Sequence, residues 1–406
     1  MAALLIRAAM NDHVVIGDLL APGAGPRLAS RRPPISQLVA DGHVAAARPV
    51  LADHARAAGI PYVVDPDTPL LQSSVDPEDR WVKLPFAKAE AMAPAEVRLE
   101  ELIESVIEFE LDQGATVVVP PYFYASSPAD PWFHLTVRSI QRTAGYLEEA
   151  GIRLPLSPVL CAQLQSFSPQ TVWSVGLDRF AAVALESGAA SMAICLSPAG
   201  AGTDGYGKVM RLFEAAGRTK EHGLPVLAWR QGIYGPALVA AGLDGYECGL
   251  GTGEQTNIAR RQSSRKPRED GEHTSGSGAG IFIETLGRSV PRRVGQVLLG
   301  DVGMRPKVMC VDESCCPSVA ATLDDSRRHA ARTRARTLAE LAAQPHRRWR
   351  LNHIARHASA AATLAAQANR ILVAEGVKQQ IKARNLDALA EVVRHLAEEQ
   401  PGSRIA

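Results

Sequence analysis

Thr116-Val117-Val118-Val119-Pro120-Pro121-Tyr122-Phe123-Tyr124 holds a strand and its stop within nine residues. The β-branched run is continuous rather than alternating, as expected of a strand buried on both faces in a parallel sheet. Two prolines then remove the donors that pairing needs. Aromatic residues follow directly past the C-terminal end. The same pattern recurs along the chain. Pro61–Val64 leads into Asp65-Pro66-Asp67-Thr68, Leu156–Cys161 into Gln163, and Met192–Leu196 into Ser197-Pro198. Pro225–Ala228 leads into Trp229-Arg230-Gln231, and Gly245–Cys248 into Gly249-Leu250-Gly251. Leu4–Ala8 and Val14–Leu19 read as opening strands, and Ile281–Glu284 and Lys307–Cys310 as late ones.

Helical stretches lie between these runs: Gln37–Ala58, Ala95–Gln113, Trp132–Ala150, Tyr206–His222 and Gly235–Ala241. Phe180–Leu185 reads as helix or short strand. Pro94 stands just before one helix, where its missing N–H costs little. Strand and helix alternate roughly every 30 to 40 residues, the βαβ rhythm of parallel strands joined by right-handed crossovers. About eight such units fit before residue 310, enough for a closed (β/α)8 barrel of the TIM type, which needs ~250 residues. An open doubly wound sheet is the alternative, but no G-x-G-x-x-G turn is present to support dinucleotide binding. Polar and aromatic residues gather after the strands, on what would be one face of a barrel. The expected organisation is a barrel over 1–309, with a mobile Gly/Ser-rich loop at 262–280, and a helical, Arg-rich appendage over 310–406.

Composition excludes several classes. The 406 residues carry a formal net charge of +1, so the chain as a whole is no polyelectrolyte. No apolar run approaches the ~20 residues of a membrane span, and Met1–Met10, with Arg7 inside it, reads as a strand rather than a leader. Six cysteines in this length do not make a disulfide framework. A reducing, cytoplasmic setting is expected.

Four constellations could carry chemistry. Cys310, Cys315 and Cys316 cluster on a turn, and thiolates on a turn with an imidazole from a following helix hold Zn²⁺ tetrahedrally. Among the histidines that follow, His353 is the favoured fourth ligand and His329 the next; buried inert thiols are the alternative. Asp65, directly after a strand, is a candidate acid or base, with Asp67 behind it, although an Asx turn would use the same residues. Glu247, late in a strand beside Gly249, is a candidate nucleophile, base or substrate anchor, or a barrel-interior acid paired with Arg230. Finally, Arg260, Arg261, Arg265, Lys266, Arg268 and Arg288, with the arginines of the appended helices, make the C-terminal third basic enough to track phosphates. A solvated helix surface is the alternative.

Taken together, Asp65, Asp244-Gly245-Tyr246-Glu247-Cys248, the Cys310–Cys316 turn and Arg350-Leu351-Asn352-His353 resemble the tRNA-guanine transglycosylase superfamily, which includes DNA-modifying relatives. The resemblance spans most of the chain in order of elements. It implies a barrel with a structural Zn²⁺, and exchange of guanine in tRNA or DNA for a 7-deazaguanine-type base. Asp65 would open the base pocket and Glu247 would attack the anomeric carbon. Tyr122 and Gln163 would stack on and hydrogen-bond the base, alongside Arg230 and Gly249. Three departures stand out. Glu replaces the family's nucleophilic Asp, the cysteines follow C-x4-C-C rather than C-x-C-x2-C, and Asp65 lacks the Ser-Gly-Gly-Phe-Gln continuation. Two other readings stay open: a barrel enzyme acting on a small anionic substrate, and a non-catalytic nucleic-acid-binding barrel. A homodimer is allowed for, and a membrane partner is not expected.

Overall fold

The structure, a computed structural model, describes residues 2–21, 35–167, 172–251, 254–267 and 280–399. The strands are β1 (Ala3–Ala8), β2 (Ile35–Asp41), β3 (Tyr62–Asp65), β4 (Tyr124–Ala125) and β5 (Val159–Gln163). They continue with β6 (Met192–Ser197), β7 (Val226–Ala228), β8 (Gly245–Gly249), β9 (Ile281–Ile283) and β10 (Arg288–Val290). The helices begin with α1 (His13–Leu20), α2 (Gly42–Ala47), α3 (Val50–Ala58), α4 (Leu99–Asp112) and α5 (Pro131–Glu149). Next come α6 (Val172–Glu186), α7 (Tyr206–Lys220), α8 (Gly235–Ala241), α9 (Ile258–Ser263) and α10 (Arg292–Gly300). The last are α11 (Arg305–Val308), α12 (Val319–Asp324), α13 (Ser326–Ala342), α14 (Arg347–Ala374) and α15 (Arg384–Glu398).

The first eight strands form one sheet in the order β3-β2-β1-β8-β7-β6-β5-β4, with every pairing parallel. Its two ends meet through the parallel bridges Val63↔Val117 and Val118↔Leu156. The segment 116–119 therefore stands between β3 and β5, and β4 continues it past Pro120 and Pro121. This is the (β/α)8 barrel expected from the alternation. The closing stave is thin because the two prolines cannot donate to a ladder.

Residues two apart on a strand share a face. One parity fills the barrel interior: Leu5, Val39, Val63, Val159, Cys161, Ala193, Cys195 and Leu227 form a cluster of their own. The other parity, with Leu4, Ile6, Leu38, Val64, Leu160 and Ile194, packs outward against the helices. Carried to the C-terminal ends, the interior parity delivers Arg7, Asp41, Asp65, Gln163, Ser197, Trp229 and Glu247 to one mouth.

Several local expectations are corrected. Val14–Leu19 is helical (α1), because Ile16, Leu19 and Leu20 fall on one buried helical face. The front of Gln37–Ala58 is strand β2, paired on both edges by β1 and β3. Lys307–Cys310 is not a strand: Pro306 opens the short helix α11, where a proline's fixed φ is pre-organised. Ile281–Ile283 pairs antiparallel with β10 outside the barrel. Of the loop expected at 262–280, residues 268–279, with Arg268, lie outside the described residues, while 262–267 finish α9 and a turn.

Residues 310–399 are helical as expected, but they are not a separate body. Ala331, Leu338, Leu351, Ala355 and Val393 belong to the same buried core as the barrel's outer layer. One carboxylate fastens them further. Glu254, in the loop after β8, accepts from Ser289 N–H (2.8 Å) and Ser289 Oγ (2.9 Å) and pairs with buried Arg334 of α13.

The seam between β8 and its neighbours is tight at Gly245, where an added Cβ would stand 2.6 Å from the Ala3 carbonyl oxygen and 2.8 Å from Ala3 Cβ. Gly245→Ala should therefore lower the urea midpoint, by about 1–3 kcal/mol of stability. Gly217→Ala on α7, where a Cβ meets nothing within 4 Å, should be neutral or stabilising by up to about 1 kcal/mol. Equal midpoints for both variants would contradict this view of the seam.

Candidate active site and metal cluster

Arg7 stands at the end of β1 with its guanidinium shared among three acids from three other strands. Its Nε and Nη2 grip Glu247 of β8, the latter bond being 2.7 Å. Nη1 pairs with Asp41 of β2, and Nη2 also lies 2.8 Å from Asp65 Oδ2. The Asp65 and Glu247 carboxylates share one nitrogen, so they face each other across a single group. Their nearest oxygens can be no further apart than those two contacts combined.

Asp65 is fully buried and saturated with donors. Its Oδ1 accepts from the Tyr122 hydroxyl (2.8 Å) and Asp67 N–H (2.9 Å). Its Oδ2 accepts from Arg230 Nη2 (2.9 Å) and Trp229 Nε1 (3.2 Å). Arg230 also reaches Asp41 (2.9 Å) and Asp67 (3.5 Å), and Arg261 bridges Asp41 (2.7 Å) and Asp67 (2.8 Å, from Nε). Four acids thus interleave with three arginines. Burial pushes Asp41 toward the neutral form, but Arg261, Arg230 and Arg7 together hold it well below the usual carboxylate range. Asp65 is likewise lowered, Arg7 and Arg230 outweighing burial. Burial and Asp65 push the Tyr122 phenol well up, so it stays a donor. Two non-glycine residues adopt left-handed backbone here, Asp67 (φ 53°) and Arg230 (φ 57°). Such strain tends to collect where side chains must be aimed.

A cavity of about 320 Å³ opens over the network, lined by Arg7, Asp41, His43, Arg230, Gly249 and Arg261 among others. Of the substrate-binding candidates, Gly249 and Arg230 line it and Tyr122 bonds Asp65. Gln163 does not line it; at the end of β5 its Oε1 accepts from Ser166 (3.4 Å). Arg7 and Asp41 were not singled out from sequence. Their one visible signal was Arg7, a lone cation two residues past Leu5 inside an apolar strand.

The basic residues divide. Arg260 and Lys266 are exposed. Arg261 turns into the acid network, and Arg265 pairs with Asp79 (2.6 Å) and His43 (3.3 Å). Arg288 is buried and donates to the Lys382 carbonyl (2.7 Å), which takes it away from any surface that tracks phosphates.

Cys310, Cys315, Cys316 and His329 bring one ligand atom each within 4.8 Å of one another, and all four are buried. His329 Nδ1 lies 3.2 Å from Cys316 Sγ and 3.7 Å from Cys315 Sγ. Its Nε2 is 3.0 Å from the Phe282 carbonyl, the kind of outer partner that fixes a ligating ring. His353, the favoured ligand from sequence, is not there: it faces Glu340 at 3.8 Å, and its predicted role passes to His329. The reason is local. Helix α13 begins at Ser326, so its first turn sets His329 over the Cys turn, whereas His353 lies further on, in α14. Three thiols and an imidazole converging in this way can hold a metal ion, despite the unusual cysteine spacing.

No protein-family model matches the sequence, and no curated protein does. Among solved structures, the chain is similar to the orotidine 5'-monophosphate decarboxylase from Metallosphaera sedula (TM-score 0.34, 9% identity, 65% of this chain and 96% of that one). It is also similar to the thiamine phosphate pyrophosphorylase from Pyrococcus furiosus (TM-score 0.29, 12% identity, 64% and 92%). A third is the carboxyl transferase domain from Rhizobium etli pyruvate carboxylase (TM-score 0.36, 12% identity, 98% and 61%). Scores this low assign no role to any residue, and the barrel rests on its own strand registers.

Two outcomes follow. Asp41 and Asp65 titrate below their unfolded values, so the stability they contribute is complete above about pH 4 and lost as pH falls through their folded values. Arg7→Met removes the shared cation and raises both. Urea unfolding should show a loss of about 3–5 kcal/mol at neutral pH, with a gap to the parent that narrows as pH falls below about 4; a gap unchanged with pH would refute the ion-pair account. In metal analysis, His329→Ala should reduce bound metal while His353→Ala leaves it intact.

Proposed function

We propose that this chain is a base-exchanging transglycosylase acting on guanine in tRNA or DNA, with a 7-deazaguanine-type base as the incoming partner. The observation that carries the reading is the pair Asp65 and Glu247, brought face to face by Arg7 at the mouth of the barrel. Glu247, buried against Arg7 beneath the lining of the mouth cavity, would attack the anomeric carbon once Arg7 gives way, and Asp65, likewise buried, would aim Arg230 and the network around it toward the base. As the Glu247 ester forms, the glycosidic bond breaks and the departing guanine leaves with its electron pair, taking up a proton from water. The incoming base loses its N–H proton to water and attacks the face the first base left, displacing Glu247 as a carboxylate, so the two inversions restore the configuration. A carboxylate beside the anomeric carbon would favour the oxocarbenium-like transition state. Exposed Arg260 and Lys266 beside the mouth would meet the phosphates.

The metal in this reading is Zn²⁺, held by Cys310, Cys315, Cys316 and His329. When bound, it fixes the Cys turn and α13 to the β9–β10 hairpin and takes no part in the reaction. A reducing cytoplasm suits these thiols, and all six cysteines are free. Among the described residues no helix is long and apolar enough to cross a membrane.

One observation favours a second reading. The mouth cavity is also lined by four arginines, Arg7, Arg230, Arg261 and Arg265, an arrangement that suits a small anionic substrate.

The test is incubation of the purified protein with labelled guanine and either bulk tRNA or duplex DNA. Label should enter one of them, and Glu247→Gln should lower the rate by roughly a thousandfold or more, as loss of a nucleophile does. Glu247→Asp, which restores the family's residue, should retain part of it. Zinc should be near stoichiometric, and Cys316→Ser should release it. Absence of label from both nucleic acids, with zinc in place, would overturn the proposal.

A further inference from the structure

Behind the mouth lies a second cavity, of about 290 Å³, between α8, the β9–β10 hairpin and helices α13, α14 and α15. It is distinct from the first: Arg230 lines the mouth, whereas Gly232 and Ile233 line this one. Ile233, Ala237, Ile354, Leu386 and Leu389 give it an apolar wall.

Its polar groups are unbalanced. Arg288 lines it at 9% exposure, with the Lys382 carbonyl as its hydrogen-bond partner. Among the described residues no carboxylate lies within ion-pair distance of Arg288. Two acids line the same cavity, Glu284, which pairs with Arg336, and Glu340, which stands 3.8 Å from His353; Glu254 pairs with Arg334. Burial accordingly lowers the Arg288 pKa, with Glu254 acting on it only at longer range. Three other lining residues carry buried atoms without a hydrogen-bond partner: Nη1 of Arg334, the hydroxyl of Tyr246 and both side-chain amide atoms of Asn385. A buried guanidinium lacking a counter-ion is costly, and the cost is relieved by an anion that arrives with its own apolar cover.

We propose that this cavity binds a small organic carboxylate with an apolar body, the carboxylate resting on Arg288 and the body on the Ile233–Leu389 wall. The site is independent of the transglycosylase reading and stands whether or not that reading does.

The probe is benzoate, titrated calorimetrically into the full-length protein, with benzamide as the uncharged isostere. Benzoate should bind with a Kd of about 1 mM or tighter, and benzamide roughly ten- to a hundredfold more weakly, the usual worth of a hydrogen bond to a charged group. Arg288→Met should bring benzoate down to the level of benzamide. Ala358→Leu, which fills the cavity from α14, should weaken both ligands and reads the same site should Arg288→Met fail to fold. Equal binding of benzoate and benzamide, no benzoate binding at all, or benzoate binding indifferent to Ala358→Leu would overturn the proposal.

Discussion

One guanidinium ties four strands of this barrel together. Arg7 reaches Asp41 on β2, Asp65 on β3 and Glu247 on β8 from its own place on β1. Each of those acids is nearly inaccessible to water, so each would be costly to keep ionised alone. Arg230, at left-handed backbone, and Arg261 add their charge to the same acids. The arrangement needs the interior parity of every contributing strand. A slip of one residue in β1 or β8 would send Arg7 or Glu247 to the helix side.

That dependence explains what could and could not be seen in the chain alone. Continuous β-branched runs and their abrupt stops are local features, and they led to the barrel and to the right strand ends. Gly235–Ala241 is helical over its expected span, and Asp65 and Glu247 are both bound by Arg7. Asp41 was missed because the Ala- and Val-rich stretch around it suits a helix as well as a strand, and only pairing to β1 and β3 decides the matter. Arg7 was visible as an oddity but had no partner in its own neighbourhood; Glu247 lies 240 residues away.

The basic third of the chain shows the same limit more sharply. Arg261, Arg265 and Arg288 look alike in sequence, as members of one cationic run. In space they meet Asp67, Asp79 and a backbone carbonyl, and only neighbours such as Arg260 and Lys266 stay in water. The cysteine cluster was better signposted, because three thiols in seven residues are a local fact. Its imidazole was harder to choose, since helix start, not composition, decides which histidine comes within reach.

Glu254 places a limit on how such a chain could be assembled from parts. Its carboxylate is held by Ser289 and by Arg334 of the appended helices, while Gln255 and Asn257, just beyond it, line the mouth. The loop that lines the barrel mouth is therefore anchored outside the barrel. A barrel excised from its tail, or a tail exchanged for that of a distant cousin, would lose the footing of that loop along with some surface. What looks like a modular pairing of barrel and accessory piece shares one packed core.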